Sequence, residues 1–262
     1  MRVYVELART AFRQQFAYRA ATLAGIFTNS IFGIMLASIF LAFFRSQGND
    51  EVATWTRDQT VTLIWINQSL LMTVFLWGWW DVTRSIQTGA IVSELLKPID
   101  YFSYWLARDL GRALAHFLIR GIPTFAVGVL LFDLLPPVDA GAAAGFLGSV
   151  VLAVTISFCL RFISNLAGFW VFDHRGIAMV YVAIMNFFSG MLAPLDFLPG
   201  PVQTLANLLP FRAVLMVPNE IYLGRTTVWE GLALQLFWIG ALILLARFML
   251  RSGEQKLVVQ GG

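Results

Sequence analysis

The sequence predicts an all-α integral membrane protein with six transmembrane helices, and three observations predict it. Charged residues make up only 13% of the chain while 58% is hydrophobic, against the roughly 25% charge of ordinary soluble domains. The mean hydropathy is +0.74. Most decisively, six apolar stretches approach or exceed the roughly 20 residues that cross ~30 Å of hydrocarbon. They lie near 20–44, 60–80, 114–135, 141–170, 177–195 and 228–250 of a single transmembrane domain covering 1–262.

The first stretch follows Arg19 and continues to Phe44, too long for a signal-peptide core, so it is expected to be an uncleaved span. The fourth is long: between Asp139 and Asp173 the sole charge is Arg161, which predicts a bend or an inner end running along the interface. Ahead of the first span, residues 1–19 place Arg2, Glu6, Arg9 and Arg13 on one helical face, with Val3, Tyr4, Leu7, Ala8 and Ala11 away from it. That is the pattern of an interfacial amphipathic helix with arginines toward anionic lipid headgroups. Between the last two spans, 196–227 carries a proline-rich segment in which PVQTLANLLP sets Val202, Leu205, Leu208 and Leu209 on one side. It is too short to cross and is expected to dip into the outer leaflet as a re-entrant helix.

Lysine and arginine fix the orientation. Thirteen fall on the side shared by both termini and the 81–112 loop, four on the other, and Arg120 inside a span. The positive-inside bias puts both termini and that loop in the cytoplasm. Trp77, Trp79 and Trp80 fit an inner aromatic belt, and Trp55 and Trp229 an outer one.

Much chemistry is excluded. No GxxxxGK[ST] loop cradles a nucleotide. His116 and His174 lack metal-ligand spacing, Cys159 is the lone cysteine, and no basic patch interleaved with aromatics suggests nucleic acid. No Asp or Glu falls in the middle of any expected span, which weakens an ion-coupled secondary transporter working without an ATPase. A membrane assembly scaffold is the remaining alternative. Asn67, Gln68 and Asn186 are candidate substrate-pathway amides, and helix packing explains them equally well. Arg120 would be costly in mid-membrane unless it snorkels inward or finds a partner.

The stretch SELLKPID (93–100) interrupts this apolar text. AIVSELLK has the makings of a short helix stopped before Pro98, and Asp100 can cap the helix that follows. Such a helix could dock into a groove of another protein or simply lie against lipid.

The pattern Gly89-x-Ile91…Leu95-Leu96-x-Pro98-x-Asp100, followed by Leu110-Gly111-Arg112, resembles the membrane subunits of type-2 ABC exporters. More narrowly it is similar to the six-span permeases of viologen or daunorubicin type. GMLAPLDFLPG (190–200), LLPFRA (208–213), PNEIYLG (218–224) and the terminal VVQGG carry the same likeness. The resemblance implies a bacterial cytoplasmic-membrane permease, not itself an enzyme, and a coupling helix in the 81–112 loop. Glu94, Leu95, Leu96, Lys97 and Pro98 would contact an ATPase there. It further implies two ATP-binding-cassette subunits carrying ATP-Mg, a second permease copy or related permease, and no cofactor in this chain. The pathway composition predicts a drug-like or lipid-like amphiphile as the exported substrate.

Overall fold

Four helices of the computed structural model are long and apolar enough to cross a membrane: Arg19–Gln47, Tyr101–Leu131, Ala140–Phe169 and Val228–Glu254. The structure describes residues 2–171 and 173–257, so the VVQGG terminus lies outside the described residues. The helices in chain order are α1 (Arg2–Gln14), α2 (Arg19–Gln47), α3 (Arg57–Val74), α4 (Asp81–Gln87), α5 (Ile91–Leu95), α6 (Tyr101–His116), α7 (Ile122–Leu131), α8 (Ala140–Leu166), α9 (Arg175–Phe188), α10 (Gly200–Leu208), α11 (Arg212–Tyr222) and α12 (Val228–Glu254). Between α2 and α3 two-residue strands, β1 (Glu51–Val52) and β2 (Trp55–Thr56), pair antiparallel across Ala53 and Thr54, both at positive φ.

The termini follow from local chemistry. Thr56 and Gln59 form a reciprocal capping box at the start of α3, and Thr227 and Glu230 do the same for α12. Asp100 and Asp139 each accept a backbone N–H three residues on, capping α6 and α8. Gly48, at φ +65°, closes α2 in the left-handed conformation that glycine adopts without penalty.

α3 is the central element. Fourteen of its eighteen residues are buried, which frees it from the uniformly apolar surface that lipid demands. At about 27 Å it comes close to spanning the hydrocarbon, whereas α9 reaches about 21 Å. Around α3 stand α2, α6, α7, α8 and α11. Trp65 of α3, fully buried, fits against Gly33 of α2 and Gly128 of α7, positions where a Cβ would meet its ring. Asn67 reaches across to α11, donating to the carbonyl of Gly190 (2.9 Å) and accepting from Asn219 (2.8 Å). Gln235 of α12 donates to the carbonyls of Ser149 and Ala213, joining α12 to α8 and α11. Buried amides thus lace the helix bundle where apolar packing alone gives no direction.

Several boundaries differ from the sequence expectation. The second apolar helix stops at Val74 instead of continuing to 80, because Phe75 turns left-handed at φ 53°. The third begins at Tyr101, well before 114, since Asp100 caps it there and its acid, Asp109, is neutralised internally. The fifth ends at Phe188, short of 195. In the 196–227 segment, α10 leaves Leu205 and Leu208 exposed, and α11, buried from Ala213 to Pro218, packs against α8 and α12. α11 has the apolar run AVLMV, and its charges, Arg212 and Glu220, pair with each other at 2.7 Å. That pairing lets it be more fully buried than α10.

α1 lies across α6, where Gly111 admits the backbone carbonyl of Ala8 in a contact that any Cβ would obstruct. Gly111→Val should therefore lift α1 from α6 at a cost of about 1–3 kcal/mol while leaving the span inserted. Faster trypsin cleavage at Arg9 and Arg13 in the detergent-solubilised protein is the expected readout, and unchanged cleavage would contradict the close approach.

Candidate functional site

The last turn of a helix leaves carbonyls without intrahelical partners, and α3 ends in the middle of protein. Two arginines meet that need. Arg112 of α6 donates to the carbonyls of Met72 (2.7 Å) and Thr73 (3.1 Å). Arg161 of α8 reaches the carbonyl of Val74 (3.5 Å), which also accepts from Ser157 (2.6 Å). Between the two guanidinium groups sits Asp109, taking a bidentate pair from Arg161 (2.8 and 3.1 Å) and one bond from Arg112 (2.9 Å). Arg161 is 0% and Asp109 4% exposed. Phe75 lies under both arginines and Trp79 under Arg161. Cation, anion and carbonyl charges are mutually satisfied, which is the condition under which buried ions are tolerated.

This cluster corrects one expectation and gives Arg161 its partner. Arg161 lies within the helix Ala140–Leu166 and pairs with Asp109. An acid does lie inside an apolar helix, because Asp109 belongs to Tyr101–Leu131 and not to the loop.

The cluster also holds the loop 75–87. Asn165, one turn beyond Arg161, donates to the carbonyl of Trp79 (2.7 Å) and accepts from the backbone N–H of Thr83 (3.0 Å). The Thr83 hydroxyl donates back to the carbonyl of Asn165 (3.0 Å). Trp79 stacks on Trp105 of α6 at 5.0 Å. Thus α4 is fastened to α8, and its neighbour α5 is fastened in turn. Glu94 accepts from Ser85 of α4 (2.8 Å) and Tyr101 of α6 (3.0 Å), while Ile91 is fully buried.

The five loop residues singled out in SELLKPID consequently divide. Glu94 and Leu95 turn inward; Leu96, Lys97 and Pro98 face outward, with Leu96 81% exposed. At the loop's base Asp100 receives both terminal nitrogens of Arg247 from α12 (3.0 and 3.2 Å), and its N–H donates to the Tyr4 hydroxyl of α1. Burial alone would raise the Asp100 carboxyl, but the bonds from Arg247 and Ser103 outweigh it and hold it below the usual range.

The three amides are not brought together. Asn67 is buried with its carbonyl and amide engaged by α11 and the 190–191 backbone. Gln68 is buried beside it, its main-chain carbonyl accepting from Asn29. Asn186 lies elsewhere, on α9, accepting from the indole N–H of the half-exposed Trp77 (3.2 Å).

Arg120 sits in a π-helical turn, Phe117–Gly121, that joins α6 to α7. Pro123 has no N–H to donate back along the helix, and the Ile122 N–H bonds the Phe117 carbonyl five residues back. The Arg120 guanidinium fills the notch left by Gly25 of α2. No carboxylate pairs with it among the described residues. Beside the same turn, a groove of about 450 Å³ runs between α3, α7, α8 and α11, lined by Ile66, Phe117, Phe125, Phe146 and Tyr222. Pro123 was the sequence signal for this turn, and Asp109 was the overlooked partner of the two buried arginines.

Asp109→Asn leaves two buried guanidinium groups without their anion, and a loss of about 3–5 kcal/mol is expected. Thermal unfolding in detergent should show it. In a double-mutant cycle, Asp109→Leu with Arg161→Met should cost less than the two single changes summed; strict additivity would mean the pair is not coupled.

The family model described as ABC-2 family transporter protein matches residues 32–261. The chain therefore belongs to the ABC-2 transporter family: it is a multi-pass membrane subunit of an ABC transporter, and an ABC ATPase subunit is its implied partner. Comparison with curated proteins gives no match.

Proposed function

We propose that this ABC-2 family permease is the membrane half of an ATP-driven exporter, moving bulky amphiphiles out across a bacterial cytoplasmic membrane. In this reading it crosses six times, with α3 and α9 as the shorter crossings and both termini inside. Two copies, or one copy and a related permease, stand over two ATPase subunits that bind ATP-Mg.

One observation carries the coupling role. The tip of the 81–100 loop offers an exposed Leu96, followed by Lys97 and Pro98, just after a short helix whose inner face is tied to α4 and α6. An exposed apolar knob on a rigid mount is suited to a groove of a partner protein. A helix lying passively against lipid needs no such mount. Glu94 and Leu95 then act by holding α5 in position, and Leu96, Lys97 and Pro98 by contact.

The amphiphile reading draws on aromatic and apolar surface. Trp77 and Asn186 give an exposed aromatic and amide pair, and the groove beside α7 is almost wholly apolar. Such walls solvate apolar bodies and compensate poorly for small hydrated ions. Ion coupling draws little support from Asp109, whose oxygens are occupied by two arginines.

Leu96→Asp should lower both transport and co-purification of the ATPase by tenfold or more, with membrane insertion unchanged. Normal transport by this variant would remove the coupling role. For the topology, cysteines at Asp50 and Lys256 in a Cys159→Ser background should label from outside and inside respectively; labelling from one face would overturn six crossings.

A further inference from the structure

The seam between α1 and α6 is not closed along its length. Two adjoining clefts open in it, of about 210 and 590 Å³, and they share Ala11, Gln14 and Arg108. Arg108 projects where they meet. Its guanidinium donates to the Tyr104 hydroxyl (2.9 Å) and lies over the rings of Tyr104 (5.5 Å) and Trp105 (5.1 Å). These contacts fix its position without neutralising it, and among the described residues no carboxylate pairs with it. Of the carboxylates lining the clefts, Asp109 is buried in its own pairs with Arg112 and Arg161. Glu6 and Asp81 make exposed pairs at 3.7 and 3.8 Å with other arginines, Arg9 and Arg84. Arg2 stands at the rim of the larger cleft, beside Val3, Leu7 and Ala11.

A fixed guanidinium without an anion, an aromatic wall and an apolar strip therefore meet in one opening. The geometry points to a phosphate-binding site in this seam, with Arg108 as its principal ligand, Arg2 at its rim, and the phosphodiester of an inner-leaflet phospholipid as the natural occupant. Guanidinium presents a fork of donors that matches phosphate oxygens. The lipid glycerol and upper chain would follow Leu7 and Ala11 along the underside of α1, making the lipid a wedge between α1 and the third apolar helix. The assignment to the inner leaflet rests on the orientation proposed above, whereas the phosphate ligand rests on Arg108 alone.

The test is phospholipid retained by the purified full-length chain after extensive detergent washing, counted by native mass spectrometry. The wild type and Arg251→Gln, a control outside the seam, should keep about one phospholipid per chain. Arg108→Gln should lose it at least tenfold more readily, and Arg108→Lys should restore most of the retention. Gln14→Asp places an anion beside Arg108 at an exposed position and should expel the lipid even if Arg108→Gln proves unstable. Millimolar inorganic phosphate should compete weakly or not at all; displacement of the lipid by phosphate alone would assign the site to the free anion instead. Equal retention by wild type, Arg108→Gln and Gln14→Asp would overturn the site. Cysteine labelling reports the orientation separately, so a reversed topology with Arg108-dependent retention would move the lipid to the other leaflet and leave the site standing.

Discussion

Asp109 is the constraint on which the interior depends. α3 is buried nearly throughout and stops inside the protein, so its final carbonyls must be met by donors from other helices. The donors are arginines from α6 and α8, and two buried cations are tolerable only with an anion between them. Once that anion is in α6, the mutual placement of α3, α6 and α8 is set to within a hydrogen bond. Geometry that apolar packing in lipid would leave loose becomes specific.

From that fixed point the chain builds outward in both directions. Toward one end, Asn165, Thr83 and Glu94 pass the placement of α8 and α6 to the loop, so the exposed tip at Leu96 moves with the helices and not independently of them. Toward the other, Asn67 and Asn219 carry it to α11, and Trp55 joins in through its indole bond to Asp196 (2.6 Å). Arg225 covers the Trp55 ring at 4.0 Å and donates to Thr54, so the small hairpin is fastened to the turn after α11. α3 joins the two ends, its last turn held by the Asp109 cluster and its Asn67 bonded to α11.

The all-helical membrane class was legible because apolar run length reports directly on the surrounding solvent. The Asp100 cap and the stop before Pro98 were legible for a local reason, since caps and proline effects act within a few residues. What escaped was set by partners distant in sequence. Asp109 looked like a loop acid because Arg161 lies 52 residues away, and no local pattern announces that pairing. The inward bonds of Glu94 were not legible because Ser85 and Tyr101 meet it only after the loop folds back. The burial of α11 was not legible for the same reason: it depends on packing against α8 and α12.

The π turn at Phe117–Gly121 has a consequence for register. Such a turn is an α-helix holding one surplus residue, so the side chains of α6 and α7 are phased as though from two different helices. Without the surplus, every residue from Ile122 to Leu131 would be rotated by about 100°. Gly128 would then no longer face Trp65, and the aromatic wall at Phe125 would turn from its groove. Removal of a single amino acid between 117 and 121 is thus a larger change to the molecule than most substitutions, because it shifts all of α7 by one position.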